Sequence, residues 1–174
     1  MKLLIENWRK YLNEASVGFD LAKAIVYTAF VLDDESHRKL AKIAPKGWKV
    51  YAHHMTILPP TDQKQRLPPS QFFEGCVEVV GIARNEMVIA VKVDFGDMAI
   101  YNKIRGIPHI TIATNAGGEP AMSNDFLDSD FEPIDPITFF KITGKNCNDE
   151  DDEDDDKDKK CTITVCGKVE EVLR

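Results

Sequence analysis

Two tetrapeptides in this chain spell the same pattern, His-x-Thr-apolar: His54-Met55-Thr56-Ile57 and His109-Ile110-Thr111-Ile112. Each lies in a run with strand character, Lys49–Leu58 and Pro108–Thr114. A strand turns residues i and i+2 to one face. His54 therefore shares a face with Thr56, and His109 with Thr111, while Ile110 and Ile112 occupy the other face and suit a core. Two imidazoles facing one pocket supply a general base and a general acid, because free histidine titrates at about 6.5. Two threonine hydroxyls beside them can donate hydrogen bonds to phosphoryl oxygens, where charge grows in the transition state. Together these groups suit phosphate-ester cleavage without a metal. His37 and His53 have no such phrase around them and read as structural or surface residues.

The paired motifs resemble those of the 2H phosphoesterase superfamily. The wording around them, Ala52-His53-His54-Met55-Thr56-Ile57 and Pro108-His109-Ile110-Thr111-Ile112-Ala113-Thr114, is most similar to the cyclic phosphodiesterase domains of RNA-repair ligases. The resemblance implies hydrolysis of a 2′,3′-cyclic phosphate at an RNA terminus, or of a small cyclic nucleotide. His54 and His109 would be the catalytic pair, Thr56 and Thr111 would hold the phosphate, and no cofactor or metal would be needed. Which histidine is the base, and whether a 2′- or a 3′-phosphate results, stays open. The resemblance also implies an α+β fold of two pseudo-twofold antiparallel sheets with flanking helices and the site in the groove between lobes. Other readings are a phage hydrolase of cyclic oligonucleotide defence signals, a non-catalytic RNA-end or nucleotide-binding module, and a structural protein packaged in a phage particle.

The elements that must position the motifs follow from periodicity. Residues 1–14 carry Leu4, Ile5, Trp8, Tyr11 and Leu12 at helical spacing and predict an amphipathic helix. This segment also resembles the removable leaders of proteins packaged into T4-like phage heads, with Leu12-Asn13-Glu14 before Ala15 as the trimming site. Residues 15–23 then read as a linker and 24–174 as a single domain. Ala24–Leu32 predicts an interior strand, Asp33 or Asp34 a helix cap, and Ser36–Ala44 a helix. The 61–70 loop is polar and proline-rich, and its Lys64 and Arg66 read as ordinary exposed charges. Glu74–Ala83 and Glu86–Val93 predict a hairpin turning at Arg84-Asn85. Lys103 and Arg105, just ahead of His109, are candidate rim cations for a polyanionic ligand. Gly117-Gly118 offers a flexible loop where a ligand can approach the backbone, but no phosphate-binding Gly-Lys-Ser/Thr follows. Ile137–Gly144 and Cys161–Lys168 predict two further strands.

Between those last two runs lies an acidic block, 148–160, expected to be a disordered insertion at a hairpin tip. It accounts for the net charge of −7: residues 149–158 hold nine acids and one lysine, and without them 20 acidic residues face 21 basic ones. A nearly neutral body argues against extensive duplex binding, which requires a basic stripe. The block lacks the glycine and terminal glutamate of an EF-hand. Cys76, Cys147, Cys161 and Cys166 form no Cys-x-x-Cys pair and have no metal-binding spacing. No secretory signal precedes them, so free thiols and a cytoplasmic monomer are expected, in the host cytoplasm or the virion if the chain is phage-encoded. With 43% hydrophobic residues and no run of about 20 apolar residues, no membrane is implied. An RNA ligase or phage head proteins are the macromolecular partners consistent with this reading.

Overall fold

Runs rich in β-branched residues, with apolar positions alternating to one face, fold as strands because half of each side-chain set can be buried. In the computed structural model, which describes residues 25–58, 72–96, 104, 106–147 and 162–173, seven such strands form: β1 (Ile25–Leu32), β2 (Lys49–Val50), β3 (His54–Leu58), β4 (Glu74–Arg84), β5 (Val88–Asp94), β6 (His109–Thr114) and β7 (Ile163–Leu173). They make one sheet in the order β2-β6-β5-β4-β7-β1-β3, every pairing antiparallel. Among the described residues two helices accompany it, α1 (Asp34–Ala41) and α2 (Pro136–Thr143), with short 3-10 turns at Pro120–Asp125 and Asp128–Asp130. The fold is thus α+β and antiparallel. No helix among the described residues is long and apolar enough to cross a membrane. The leader, the linker, the 61–70 loop, Lys103, Arg105 and the acidic insertion lie outside the described residues.

The core follows the strand alternation. Phe30, Met55, Ile57, Val79, Val91, Ile110, Ile112 and Val165 are essentially inaccessible to solvent, and burial of each such side chain contributes roughly 1.5–3 kcal/mol. Phe30 stacks on Phe73 at 5.9 Å and meets the edge of Phe95 at 5.7 Å. Asp33 caps α1 by accepting a hydrogen bond from the Ser36 amide at 2.7 Å. The Ser36 hydroxyl accepts in turn from the Cys166 amide at 2.8 Å, which ties the helix to β7. At the β4–β5 hairpin, the Asn85 side chain accepts from the Met87 and Val88 amides, so this asparagine makes the turn without a following glycine.

Four expectations change. Lys49–Leu58 is not one strand. It breaks between Val50 and His54, with Ala52 at φ 43°. Ile137–Gly144 is helical, not extended. Asp135 caps the Ile137 and Thr138 amides, Pro136 opens the first turn and Gly144 ends the helix at φ 78°; these end signals outweigh the β-propensity of four branched residues. The acidic block therefore joins a helix to a strand and is not a hairpin tip. The described cysteines are not free. Register sets Cys76 of β4 directly opposite Cys166 of β7, and they form a disulfide across the sheet; Cys147 is disulfide-bonded as well.

Strands β1 and β7 approach closely at Gly167, where a β-carbon would collide with the Val31 carbonyl and lie 2.9 Å from Leu32 Cα. Backbone atoms cannot yield as a flexible side chain can. Gly167→Ala is therefore expected to cost about 1–3 kcal/mol, read as a lower urea midpoint at unchanged slope. An unchanged midpoint would mean that the two strands are not packed this tightly.

Candidate active site

The partner change inside 49–58 positions the first motif. Lys49 and Val50 pair with Thr114 and Ala113 of β6, and the Tyr51 and Ala52 amides donate to the Ile112 and Thr111 carbonyls at 2.8 and 2.9 Å. The chain then leaves β6. The His53 carbonyl accepts from the Leu32 amide at 2.9 Å, and β3 runs on beside β1, with Val31 opposite His54 and Ala29 opposite Thr56. Two histidines brace the crossing: Nδ1 of His37 donates to the Ala52 carbonyl at 3.0 Å, and Nδ1 of His53 donates to the Tyr51 carbonyl at 2.7 Å. His37 thus has the structural role that its surroundings in the sequence suggested.

Both motifs open into one groove of about 510 Å³, lined by His54, Thr56, His109 and Thr111 together with Tyr51 and Ser123. That volume is in the range of small-molecule sites. The alternation holds on each motif strand: Met55 and Ile57 are buried behind His54 and Thr56, as Ile110 and Ile112 are behind His109 and Thr111. His53 also lines the groove, its ring 4.4 Å from that of His54, so it is more than a surface residue.

The two motif histidines have different surroundings. His54 is half-buried against Tyr27, ring centroids 5.2 Å apart, and its Nδ1 is buried with no hydrogen-bond partner among the described residues. Burial, and after it the neighbouring His53, pushes its pKa down to about 4. Nδ1 of His109 instead donates to the Ile107 carbonyl at 2.7 Å, and its Nε2 lies 2.9 Å from Ser123 Oγ. Burial lowers its pKa too, against the opposing pull of the Ile107 carbonyl. Both imidazoles are thereby biased toward the neutral form at neutral pH. The Thr56 side chain is exposed, whereas Thr111 Oγ1 lies 2.7 Å from Ser123 Oγ.

Ser123 is the residue that the sequence did not point to. It sits on the 3-10 turn that opens at Pro120, is 2% exposed, and follows His109 by 14 positions with no motif around it. Its one local signal is the Pro120 that starts a helical turn. Gly117-Gly118 also serves otherwise than expected: a β-carbon at Gly118 would strike the Met87 carbonyl, so the close approach there is to the protein's own backbone. Among the described residues, no three His, Cys, Asp or Glu side chains converge as a metal-binding group.

An antiparallel sheet with paired His-x-Thr strands facing one groove defines a class of protein with an imidazole-lined cleft. The chain belongs to the family of the fungal tRNA ligase phosphodiesterase domain, whose model matches residues 36–139 and so spans both motifs and Ser123. No curated protein matches it, and no solved structure does.

The low pKa of His54 has a consequence for stability. Between about 6.5, the value for free histidine, and about 4, the unfolded chain binds more protons than the folded one. The stability that neutral His54 contributes is complete above this window and is lost as pH falls through it. In NMR titrations His54 should show a midpoint near 4, and the stability difference between wild type and His54→Gln should shrink from pH 7 to pH 4. A His54 midpoint at 6.5 would contradict the burial described here.

Proposed function

We propose that this protein is a metal-independent phosphodiesterase that opens 2′,3′-cyclic phosphates at RNA ends. One observation carries the reading: both His-x-Thr pairs face a single groove in a chain of the tRNA ligase phosphodiesterase family. Water attacks phosphorus and loses its proton to one neutral imidazole. The bond from phosphorus to one ribose oxygen breaks, and that oxygen takes a proton from the other imidazole, in its protonated form. One water is consumed and a phosphomonoester forms. Thr56 and Thr111 donate to the non-bridging oxygens, where negative charge grows. We further read the sheet as two equivalent halves, β6-β5-β4 and β3-β1-β7, because each motif strand takes the corresponding outer place in its half.

The assay is turnover of 2′,3′-cyclic mononucleotides and of a short RNA ending in a cyclic phosphate, in EDTA. Loss of a general acid or base costs roughly 10²–10⁴-fold, so His54→Ala and His109→Ala should each fall in that range, and Thr56→Val by about 10²-fold. Cyclic di- and trinucleotides complete the panel. Turnover of these alone would replace the RNA-end reading with signal degradation, and full activity in both histidine variants would remove the two-histidine mechanism.

The pH profile follows from the two depressed values. Catalysis needs one imidazole neutral and the other protonated, so the active fraction is greatest between their midpoints. One midpoint lies at about 4 and the other below histidine's usual value. The profile of kcat/KM should be a bell on the acid side of neutrality, its alkaline fall beginning below a pH of about 6.5. A plateau that extends past pH 8 would show that the groove titrates differently.

A further inference from the structure

Ser123 Oγ lies 2.9 Å from His109 Nε2, 2.7 Å from Thr111 Oγ1 and 2.6 Å from the Pro120 carbonyl oxygen. A carbonyl oxygen only accepts. The proton between Nδ1 and the Ile107 carbonyl therefore belongs to the His109 ring, and the proton between Ser123 and Pro120 belongs to serine. Serine has one proton. With that proton on Pro120, Ser123 can meet Nε2 only as an acceptor, and Nε2 must carry a hydrogen. Before substrate binds, the short contacts are then satisfied with His109 as an imidazolium: Nδ1–H donates to Ile107, Nε2–H to Ser123, Ser123 to Pro120, and Thr111 to Ser123, with Pro120 a longer second acceptor for Thr111 at 3.4 Å. Substrate draws the Nε2 and Thr111 protons to its own oxygens. In the neutral ring the serine proton turns to Nε2, and the Ser123 and Pro120 oxygens face each other at 2.6 Å with no proton between them.

Taking the two-histidine reading above as its basis, we propose that Ser123 is a positioning residue for His109: it holds the ring's second proton by passing the hydrogen bond on to the Pro120 carbonyl, and so makes His109 the imidazole of the pair that carries the proton. Among the described residues His54 has no comparable chain, since its Nδ1 meets no hydrogen-bond partner there. The segment bearing Ser123 is fixed at several points. The Asn115 amide donates to the Met87 carbonyl at 3.0 Å, and Ile82 and Glu132 exchange backbone hydrogen bonds at 2.8 and 3.0 Å. Asp128 pairs with Lys92 at 2.5 Å, and Lys92 stands opposite His109 in the β5–β6 register. Among the described residues, the charged and titratable groups around the network are therefore His54, His53 and Tyr51 across the groove, Lys92 with Asp128 from the β5 side, and Glu119 and Asp125 at the two ends of the turn. Among the described residues, Asp128 is ion-paired and Glu119 and Asp125 are exposed, so serine is the group placed to hold the ring's proton.

The test is an NMR titration of the histidine ring protons in the full chain. A charge-assisted hydrogen bond is roughly twice as strong as a neutral one. Removing the hydroxyl in Ser123→Ala or Ser123→Gly should therefore lower the His109 midpoint by roughly 0.5–1 pH unit, with the dispersion of the backbone amide signals unchanged as the control for folding. Ser123→Thr, which keeps a hydroxyl, should retain the wild-type midpoint. The alkaline limb of kcat/KM should move by the same amount, a loss of about three- to tenfold above pH 7. A His109 midpoint that stays in place in both hydroxyl-free variants overturns the proposal, as does a threonine variant titrating as low as the alanine one. A shifted midpoint in a protein that turns over none of the phosphodiesters would uphold the role of Ser123 in holding the proton and reject the phosphoesterase reading.

Discussion

Residues 49–52 hydrogen-bond to β6 and residues 53–58 to β1, strands that lie near opposite ends of the sheet order. Val50 pairs with Ala113; carried four residues further, that register would set His54 opposite His109. The chain leaves β6 just before reaching that point, so His54 arrives beside the second motif while its own strand is held by β1. Ala52 takes the strained conformation of the turn, at φ 43°, and a left-handed residue that is not glycine costs about 1–2 kcal/mol. Its amide and carbonyl are both hydrogen-bonded and its methyl is fully buried, which offsets that cost. The groove exists because one segment serves two strands.

What the groove does to its side chains follows from the balance between burial and hydrogen bonding. Removing an imidazole from water disfavours its charged form, and this acts on both motif histidines. The difference between them lies in what replaces the water. His54 meets an aromatic ring and a second imidazole, neither of which offers a carbonyl to its buried nitrogen. His109 meets two carbonyls, one directly and one through a hydroxyl. Two copies of the same tetrapeptide thereby place their imidazoles in unlike surroundings for a proton.

Much of this was legible in the sequence, because the signals were local. The period-two alternation in His-x-Thr-apolar placed both pairs of polar side chains on one face with the apolar residues behind them. Asp33 marked the start of a helix and Asn85 a hairpin. Other features required the tertiary context. No local rule shows that Lys49–Leu58 changes partners, since Ala52 is an ordinary strand residue by type. Ile137, Thr138 and Ile142 look like strand formers until Asp135, Pro136 and Gly144 are weighed as helix ends. The Cys76–Cys166 bond depends on a register between strands 90 residues apart in the chain. Ser123 reaches the site only because the segment after β6 folds back across β5 and is fastened at Lys92 and Ile82.

Strand β7 comes after all the others in the chain yet lies inside the sheet, between β4 and β1, with Thr28 paired to Glu171. During synthesis, β3 can join β1, and β6 can join β5 and β4, before β7 has emerged. Strand β2 ties the two groups at β6, and β7 supplies the ladders to β1 and β4 that close the sheet between them. Pairings of such long sequence separation form slowly, because closing the loop costs entropy before any contact is gained. Completion of the sheet around the groove is thus a late event in the life of the nascent chain, and until then the edges of β1 and β4 remain open to other strands.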